Sequence, residues 1–372
     1  MDALGKKTNR DSSLQWVVVK PAYQSHPATD SIAEEESDLP EHSADVRLGR
    51  DLLQATRAFA SESAARSWWH VGSTFALMIT ALTGAGLAGA WPLRTALGIL
   101  GALLMVRAFI TYHDFMHGAI LRESRLASIF FHVYGVFALV PPRSWKKSHN
   151  YHHGHVGQIS AVGIGSFPII TMQMWRQAST AERARYRIIR HPLTVLFGYV
   201  TVFAVSICLM PLLRDPRKHW DSVLSLLAHG GLIAVLWVFG GFDTAFFAVL
   251  LPMTLASTLG AYLFFAQHSF KRMIILSPEA WTFYRAALKS SSYMRLNRLM
   301  QWFTGNIGYH HLHHLATRVP NYRLRECFES HPRMQQAPRL TLRSSLRSAR
   351  LRLWDEQARR LVPFSALAAT HS

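Results

Sequence analysis

Hydrophobic and polar positions divide the chain into a polar start, a series of long apolar stretches and a cationic end. Residues 1 to about 66 are polar and mixed in charge, with the acidic run Glu34-Glu35-Glu36-Ser37-Asp38 and a short helix expected around Asp51 to Ala60. Apolar residues then run from about Trp69 to Trp91, announced by Trp68-Trp69, an aromatic pair suited to a membrane interface. That is long enough for the roughly 20 residues a helix needs to cross a bilayer. Pro92 and Arg94 read as a short turn, and a second apolar stretch from about Thr95 to Tyr112 ends on His113. Arg107 lies inside it, where a charge at mid-bilayer costs roughly 2.5–3.5 kcal/mol. The expectation is that its side chain snorkels to the head groups.

Further apolar stretches cover Leu126 to Pro142, Pro192 to Leu213, Ser222 to Gly240 and Thr244 to Phe265. Three histidine clusters sit between and after them. His113 and His117 bracket HDFMH, His149, His152 and His153 form HNYHH, and His310, His313 and His314 fall in HHLHH behind Gly305-Asn306-Ile307-Gly308-Tyr309. Spacings of i, i+3 and i+4 put each set on one face of a helix.

If the clusters meet at one site, an even number of membrane crossings separates each from the next. Leu126 to Pro142 then cannot be a single span and reads as a helix lying in the interface or dipping in and out. Parity downstream assigns the same role to Pro192 to Leu213, which has basic loops on both sides. The last two stretches form a hairpin around Gly240-Gly241-Phe242-Asp243, a loop without cations. The basic residues Arg143, Lys146, Lys147, Arg183, Arg185, Arg187 and Arg190 mark the histidine side as cytoplasmic. The predicted architecture is an all-α integral membrane protein with four transmembrane helices and two interfacial or re-entrant helices. A cytoplasmic helical cap carries a histidine-ligated di-metal site, and both termini are cytoplasmic.

Composition agrees with this architecture. Of 372 residues 49% are hydrophobic and only 17% charged, below the roughly 25% usual for soluble domains. The net charge of +18 reads as positive-inside bias plus attraction to anionic lipid. There is no DNA-reading motif and no basic–aromatic interleaving, so nucleic acid is not the expected partner. Two cysteines, Cys208 and Cys327, allow neither a disulfide framework nor a cysteine-ligated iron–sulfur cluster. No secretory signal peptide is read in the polar start. From about His331 onward the arginine-rich segment (Arg333, Arg339, Arg343, Arg347, Arg350, Arg352) reads as an amphipathic or disordered tail on anionic lipid.

Eight clustered imidazoles are too many for one tetrahedral zinc. Imidazole suits zinc, copper, iron and nickel. Two metals with nitrogen ligands, few carboxylates and open positions fit iron that activates oxygen, unlike the glutamate-rich ferritin-type centres. Asp114, inside the first cluster, is placed to hold a histidine N–H behind the ligands. Asn150 and Asn306 read equally as orienting residues and as turn residues. His26, His42, His70, His132, His191, His219, His229, His331 and His371 stand apart and read as interfacial or structural.

HDFMH, HNYHH and HHLHH, with membrane pairs between them, resemble the three histidine boxes of integral-membrane fatty acid desaturases. Ser144-Trp145-Lys146-Lys147-Ser148, Gly165-Ser166-Phe167-Pro168, Arg190-His191-Pro192-Leu193-Thr194, Ala266-Gln267-His268, the run from Gln301 to His310 and Pro320-Asn321-Tyr322 are similar to segments of bacterial acyl-lipid desaturases. The resemblance covers roughly Trp68 to Ser330. It implies a desaturase domain over 67–331, between an N-terminal tail (1–66) and a basic C-terminal tail (332–372). It also implies a non-haem di-iron centre that uses O2 and two electrons to take two hydrogens from an acyl chain. The ligands carried over are His113, His117, His149, His152, His153, His310, His313 and His314, with His268 as a ninth. His155 and His311 exceed the pattern; His311, off the shared face, is expected behind the ligands or in solvent, and His155 likewise.

A mid-chain methylene has no acidic proton and no leaving group, so such a metal would carry the chemistry while the protein positions the chain. Electrons are expected from an external donor such as ferredoxin or a b-type cytochrome, for which the basic surface is suited; no haem-binding His-Pro-Gly-Gly segment is present. Two other readings compete. Di-iron hydroxylases or ketolases of alkanes, sterols, carotenoids or acyl lipids share similar boxes. A metal transporter would need ionisable residues along its spans, where Arg107 and His229 stand nearly alone.

Overall fold

The computed structural model describes residues 40–159, 166–277 and 280–368, with side chains from Val46 onward in the first stretch. The acidic run at 34–38, His26, Gly165, His371 and the side chain of His42 fall outside them. A first helix, α1 (Pro40–Thr56), is longer than the pattern predicts. It docks through Leu52, fully buried among Leu312, Leu315 and Met334.

Three helical stretches among the described residues are long and apolar enough to cross a membrane: α2 (Ala64–Leu87), α3 (Trp91–Met116) and a 48-residue run, Trp220–Gln267. Ser63 caps α2 by accepting from the Arg66 N–H. Pro92 is not a turn residue but stands in the first turn of α3, where its missing N–H leaves nothing unpaired.

Arg107 does not snorkel. It is 5% exposed, and its Nε donates to Thr74 Oγ1 at 3.0 Å while Nη2 donates to His70 Nδ1 at 2.9 Å. Nη1 donates to the Trp302 carbonyl, and the guanidinium lies 4.2 Å above the Trp302 ring. Neighbouring elements supply the partners that head groups would otherwise provide.

Helix α4 (Arg125–Phe137) and helix α5 (Pro142–His155) meet at 91°. The segment leaves and returns to one end of the molecule. Just before α4, the Leu121 N–H donates to Glu62, next to the start of α2, and α5 carries the second histidine cluster. After α6 (Met172–Gln177), α7 (Thr180–Ile189) and α8 (Pro192–Leu196), a π-helix over Tyr199–Leu209 runs into α9 (Met210–Arg214). This segment also returns to the end it left. Arg190 Nη1 donates to Ser269 Oγ at 3.0 Å, and His219 Nδ1 lies 2.7 Å from Ser144 Oγ.

The 48-residue run comprises α10 (Trp220–Ala245), a π-helical joint at Phe246–Leu250 and α11 (Leu251–Gln267). Straight, it would be about 72 Å long. Yet Asp221 at its start accepts from Ser144, and His268 just past its end approaches His152 at 3.1 Å. Both partners sit on the 14-residue α5, about 21 Å in length. The run therefore doubles back, at Gly241, whose φ of 80° and ψ of 167° are essentially closed to other residues. The tips of the two hairpins touch, with Thr244 Oγ1 donating to the Gly86 carbonyl at 3.1 Å and Arg94 lying 3.7 Å from Asp243.

Beyond α11 the chain builds a cap from α12 (Phe283–Lys289), α13 (Arg298–Phe303), α14 (His310–Leu315) and α15 (Leu324–Ser330). The arginine-rich C-terminal segment is folded, against the expectation of an amphipathic or disordered tail. Strand β3 (Arg339–Leu340) pairs parallel with β2 (Tyr293–Met294). After α16 (Leu342–Ser348), β4 (Leu353–Asp355) lies between β1 (Ile170–Thr171) and β5 (Arg360–Val362). Leu340, Leu353, Trp354, Leu361 and Val362 are buried, while Arg333, Arg339, Arg343, Arg347 and Arg350 point outward. The charge pattern describes one face of a packed segment, and the apolar residues between the arginines decide its fold.

Candidate metal centre

Each histidine cluster is positioned by a different local device. His113 lies in the last turn of α3, and His117 caps it, its N–H donating to the His113 carbonyl at 3.1 Å. Helix α5 presents His149, His152 and His153. Its N-terminus is capped from a distance by Asp221, which accepts from the Arg143 and Ser144 N–H groups at 2.9 and 3.2 Å and from Ser144 Oγ at 2.8 Å. Because the Ser144 hydroxyl proton goes to Asp221, His219 Nδ1–H is the donor to Ser144. The third cluster follows a turn in which Gly305 and Asn306 both take positive φ, 51° and 58°. A side chain at Gly305 would also meet Ile110 Cγ2 at 2.7 Å.

The fold brings nine histidines together in two groups. His113, His117, His149, His153 and His313 form one, and His152, His268, His310 and His314 the other; within each, one nitrogen per residue lies within 4.8 Å of all the rest. The second and third clusters are each divided between the groups, so a shared helix face does not mean a shared centre. All nine are buried except His117, which is half-buried.

The nitrogens face each other in a way hydrogen bonding cannot satisfy. His268 Nε2 lies 2.8 Å from His310 Nε2 and 3.1 Å from His152 Nε2, and His314 Nε2 lies 3.2 Å from both His268 Nε2 and His310 Nε2. A neutral imidazole nitrogen is either donor or acceptor. Three of them in a triangle must leave at least one pair alike, lone pair to lone pair or N–H to N–H. The first group repeats the crowding, with His149 Nε2 2.9 Å from His113 Nε2 and 3.1 Å from His153 Nε2, itself 3.1 Å from His313 Nε2. A central cation with metal–nitrogen bonds of about 2.0–2.1 Å satisfies every lone pair at once. The residues present therefore fit a metal at each group.

Protonation points the same way. Burial first, then the neighbouring imidazoles, hold His310, His313 and His314 well below the ordinary histidine range. They are neutral, as ligands must be. His268 Nδ1 lies 3.2 Å from the Ser290 carbonyl, so it carries the proton and leaves the Nε2 lone pair facing the group. Trp145 stacks on His149 at 4.4 Å and 15°, fixing that ring.

Asp114 is buried, and its Oδ2 accepts from the Asn321 N–H at 2.7 Å. Its other oxygen is 3.6 Å from His113 Nδ1, beyond hydrogen-bonding distance. Asn306 donates from Nδ2 to the Asn321 carbonyl at 3.0 Å, so Asn321 ties the first cluster to the turn before the third. Asn150 is exposed. His311 lies in neither group and not in solvent: it is fully buried, and its Nε2–H donates to the Met334 carbonyl at 2.9 Å. His155 also stays apart, stacked on Tyr151 at 3.9 Å. His229 donates from Nδ1 to the Phe137 carbonyl and accepts from Tyr199, and His191 caps α8. Asp221, Ser290 and Trp145 carry no sequence signal for these roles, since each acts through a contact set by distant packing.

A family model for fatty acid desaturases matches residues 85–345. A fatty acid desaturase of Bacillus subtilis (strain 168) is 33% identical over 277 residues, 74% of this chain and 78% of the relative. The chain belongs to the fatty acid desaturase family. A probable fatty acid desaturase of Sorghum bicolor is 23% identical over 272 residues, 70% of this chain and 69% of that one. A protein of Nostoc sp. (strain 36) named as an sn-1 acyl-lipid omega-3 desaturase (ferredoxin) is 22% identical over 235 residues, 60% of this chain and 62% of its own.

The desaturase is thus a membrane oxidoreductase acting on fatty acyl chains, and it contains a space of the right character. A cavity of about 620 Å³ reaches His113, His149 and His310, within the roughly 300–1,000 Å³ usual for small-molecule sites. Phe109, Ile110, Leu263 and Phe264 line it beside the histidines, and the π-helix from Tyr199 forms much of the remaining wall. Gln267 also borders it, its Oε1 buried without a partner. Nothing in the pattern of Pro192 to Leu213 distinguishes this wall from an ordinary apolar stretch.

Proposed function

We propose that the chain is an O2-dependent acyl-lipid desaturase whose nine histidines hold two non-haem irons. His113, His117, His149, His153 and His313 would hold one, and His152, His268, His310 and His314 the other. The convergence of nine nitrogens in two unsatisfiable clusters supports this reading most directly. Bound iron supplies oxygen activation and hydrogen abstraction from an unactivated methylene, chemistry no side chain here provides. The balance is one –CH2–CH2– unit, O2, two electrons and two protons giving –CH=CH– and two waters.

The chain's own residues hold the reactants. Phe109, Ile110, Leu263 and Phe264 would press the acyl chain against the histidines and exclude water. Ser290 and Trp145 orient His268 and His149. Asp114, Asn321 and Asn306 fix the first and third clusters relative to each other. The electrons would come from an external ferredoxin-like or b-type cytochrome donor, a reading in line with the ferredoxin in the Nostoc relative's name.

The same reading assigns four crossings to α2, α3 and the two arms of the hairpin at Gly241, with two re-entrant segments between. On this reading the metal centre and both termini face the cytoplasm, the side that cationic loops favour. The desaturase domain is taken as 67–331, with residues 332–368 packed against it as support.

Expression in a host of simple fatty acid profile, followed by mass spectrometry of derivatised lipids, tests the proposal. A new unsaturated species should appear and should be absent with His313→Ala. A hydroxy acid in its place would favour the hydroxylase chemistry, and protein carrying stoichiometric zinc without iron would refute the centre.

A further inference from the structure

Helix α16 is packed the wrong way round for a surface in water. Its buried positions are serines, Ser345 at 1% and Ser348 at 5% exposed, while Leu342 and Leu346 are 58% and 57% exposed. The two leucines stand at i and i+4, on one face of the helix. A helix on an aqueous surface turns its apolar stripe inward and its hydroxyls outward. Here Ser345 Oγ lies 2.5 Å from the Tyr262 hydroxyl of α11, and Ser348 Oγ donates to the Ser344 carbonyl at 3.0 Å. The inner face is satisfied by hydroxyl contacts, and the outer face suits an apolar medium.

The same outer side is cationic. Arg343 and Arg347, each next in the chain to one of the leucines, are exposed, as is Arg350. Among the described residues none of the three forms an ion pair. None of these leucines or arginines lines the cavity beside the histidines.

Two contacts fix the level of α16 along the molecule. Tyr262 lies in α11, which ends at Gln267, so its Cα stands about 7.5 Å short of that end. Past α16, the Leu351 carbonyl accepts from Arg190 Nη2 at 2.9 Å, and Arg190 Nη1 donates to Ser269, beyond α11. The segment therefore runs beside the last turns of a long apolar helix and out past its end. With α11 crossing the bilayer, that level is the membrane–water interface. Leucine then meets acyl chain and arginine meets head-group phosphate.

We propose that the outer face of α16 lies in the leaflet next to the metal centre, with Leu342 and Leu346 in its acyl boundary and Arg343, Arg347 and Arg350 on anionic phospholipid. The lipid held here is a surface ligand and not the substrate. The proposal rests on the crossing assigned to α11 and not on the reaction.

The test places the full-length protein in vesicles of phosphatidylcholine and phosphatidylglycerol, one or the other brominated in its acyl chains. A polarity-sensitive fluorophore is attached at Leu346→Cys; Cys208 and Cys327 are buried. Emission should report an apolar environment. Brominated phosphatidylglycerol should quench it about 5-fold more than brominated phosphatidylcholine at equal mole fraction, the enrichment expected from one cation at an anionic surface. Arg343→Gln combined with Arg347→Gln, or high salt, should bring the two toward equality. A label at Leu227→Cys, 70% exposed on α10, should be quenched alike by both lipids, and one at Glu329→Cys, exposed on α15, by neither. Water-like emission at Leu346→Cys with quenching intact at Leu227→Cys would overturn the proposal and leave the crossings standing. Apolar emission that neither lipid quenches would overturn it too, because a second copy or another protein would then cover the face. Equal quenching by the two lipids would overturn the anionic assignment. Loss of quenching at Leu227→Cys as well would overturn the membrane reading beneath it.

Discussion

His268 Nε2 lies 2.8 Å from His310 Nε2, joining the end of a long apolar helix to a six-residue helix in the cap. The opposite nitrogen of His268 is held by the Ser290 carbonyl, so the ring arrives with its lone pair already aimed. His268→Ala should leave the five-histidine group intact and reduce iron from two per chain toward one, read by metal analysis of purified protein. His311→Ala is the contrast. It should retain both irons and lose roughly 1–3 kcal/mol of stability through the orphaned Met334 carbonyl and the space left behind, seen as a lower melting temperature.

Asp221 caps α5 from the start of another long helix, with three acceptor contacts. Asp221→Ala should cost about 1–2 kcal/mol, as the loss of a helix cap does. Asp221→Asn, which keeps an acceptor oxygen, should cost less. Thermal unfolding in detergent distinguishes the two, and unchanged melting in the alanine variant would remove the cap from the account.

A Cβ at Gly241 would meet nothing within 4 Å, so any penalty for Gly241→Ala comes from backbone conformation alone. The expected loss is roughly 1–3 kcal/mol. Gly230, in the body of the same helix, also has open space and ordinary φ. Gly230→Ala should be neutral or stabilising by up to about 1 kcal/mol. Opposite signs for two alanines on one helix would establish Gly241 as the hinge of the hairpin.

Cys327 is fully buried in the cap beside Leu324 and Met334, and burial pushes its thiol up to about 12. At pH 8 it is therefore protonated as well as inaccessible. Maleimide labelling should be slow in folded protein and rapid after denaturation, with mass spectrometry of the Cys327 peptide as the readout. Fast labelling of the native protein would mean that the cap opens.

Legibility differed by element. The hairpin at Gly240-Gly241 and the three histidine clusters could be read from the chain because each rests on local rules: a run of apolar residues, a glycine pair, a helical spacing. Parity asked that Leu126 to Pro142 lie in the interface or dip in and out once the clusters were required to meet, and the structure shows two helices meeting there at 91°. The C-terminal segment was misread because its arginines dominate composition, whereas Leu353, Trp354, Leu361 and Val362 find strand partners on residues far away in sequence. Arg107 was misread for a related reason. A single buried cation looks costly until Thr74, His70 and the Trp302 carbonyl are seen around it.

The chain by itself determined a membrane protein with clustered imidazoles at the ends of apolar helices, since length, hydropathy and i, i+4 spacing act over a few residues. Only the tertiary structure decided which histidines gather together, dividing HNYHH and HHLHH between two groups, and which wall lines the cavity beside them. Those outcomes depend on how helices cross and how far each is rotated about its axis. Such orientations come from packing summed over the whole molecule, and no local motif encodes them.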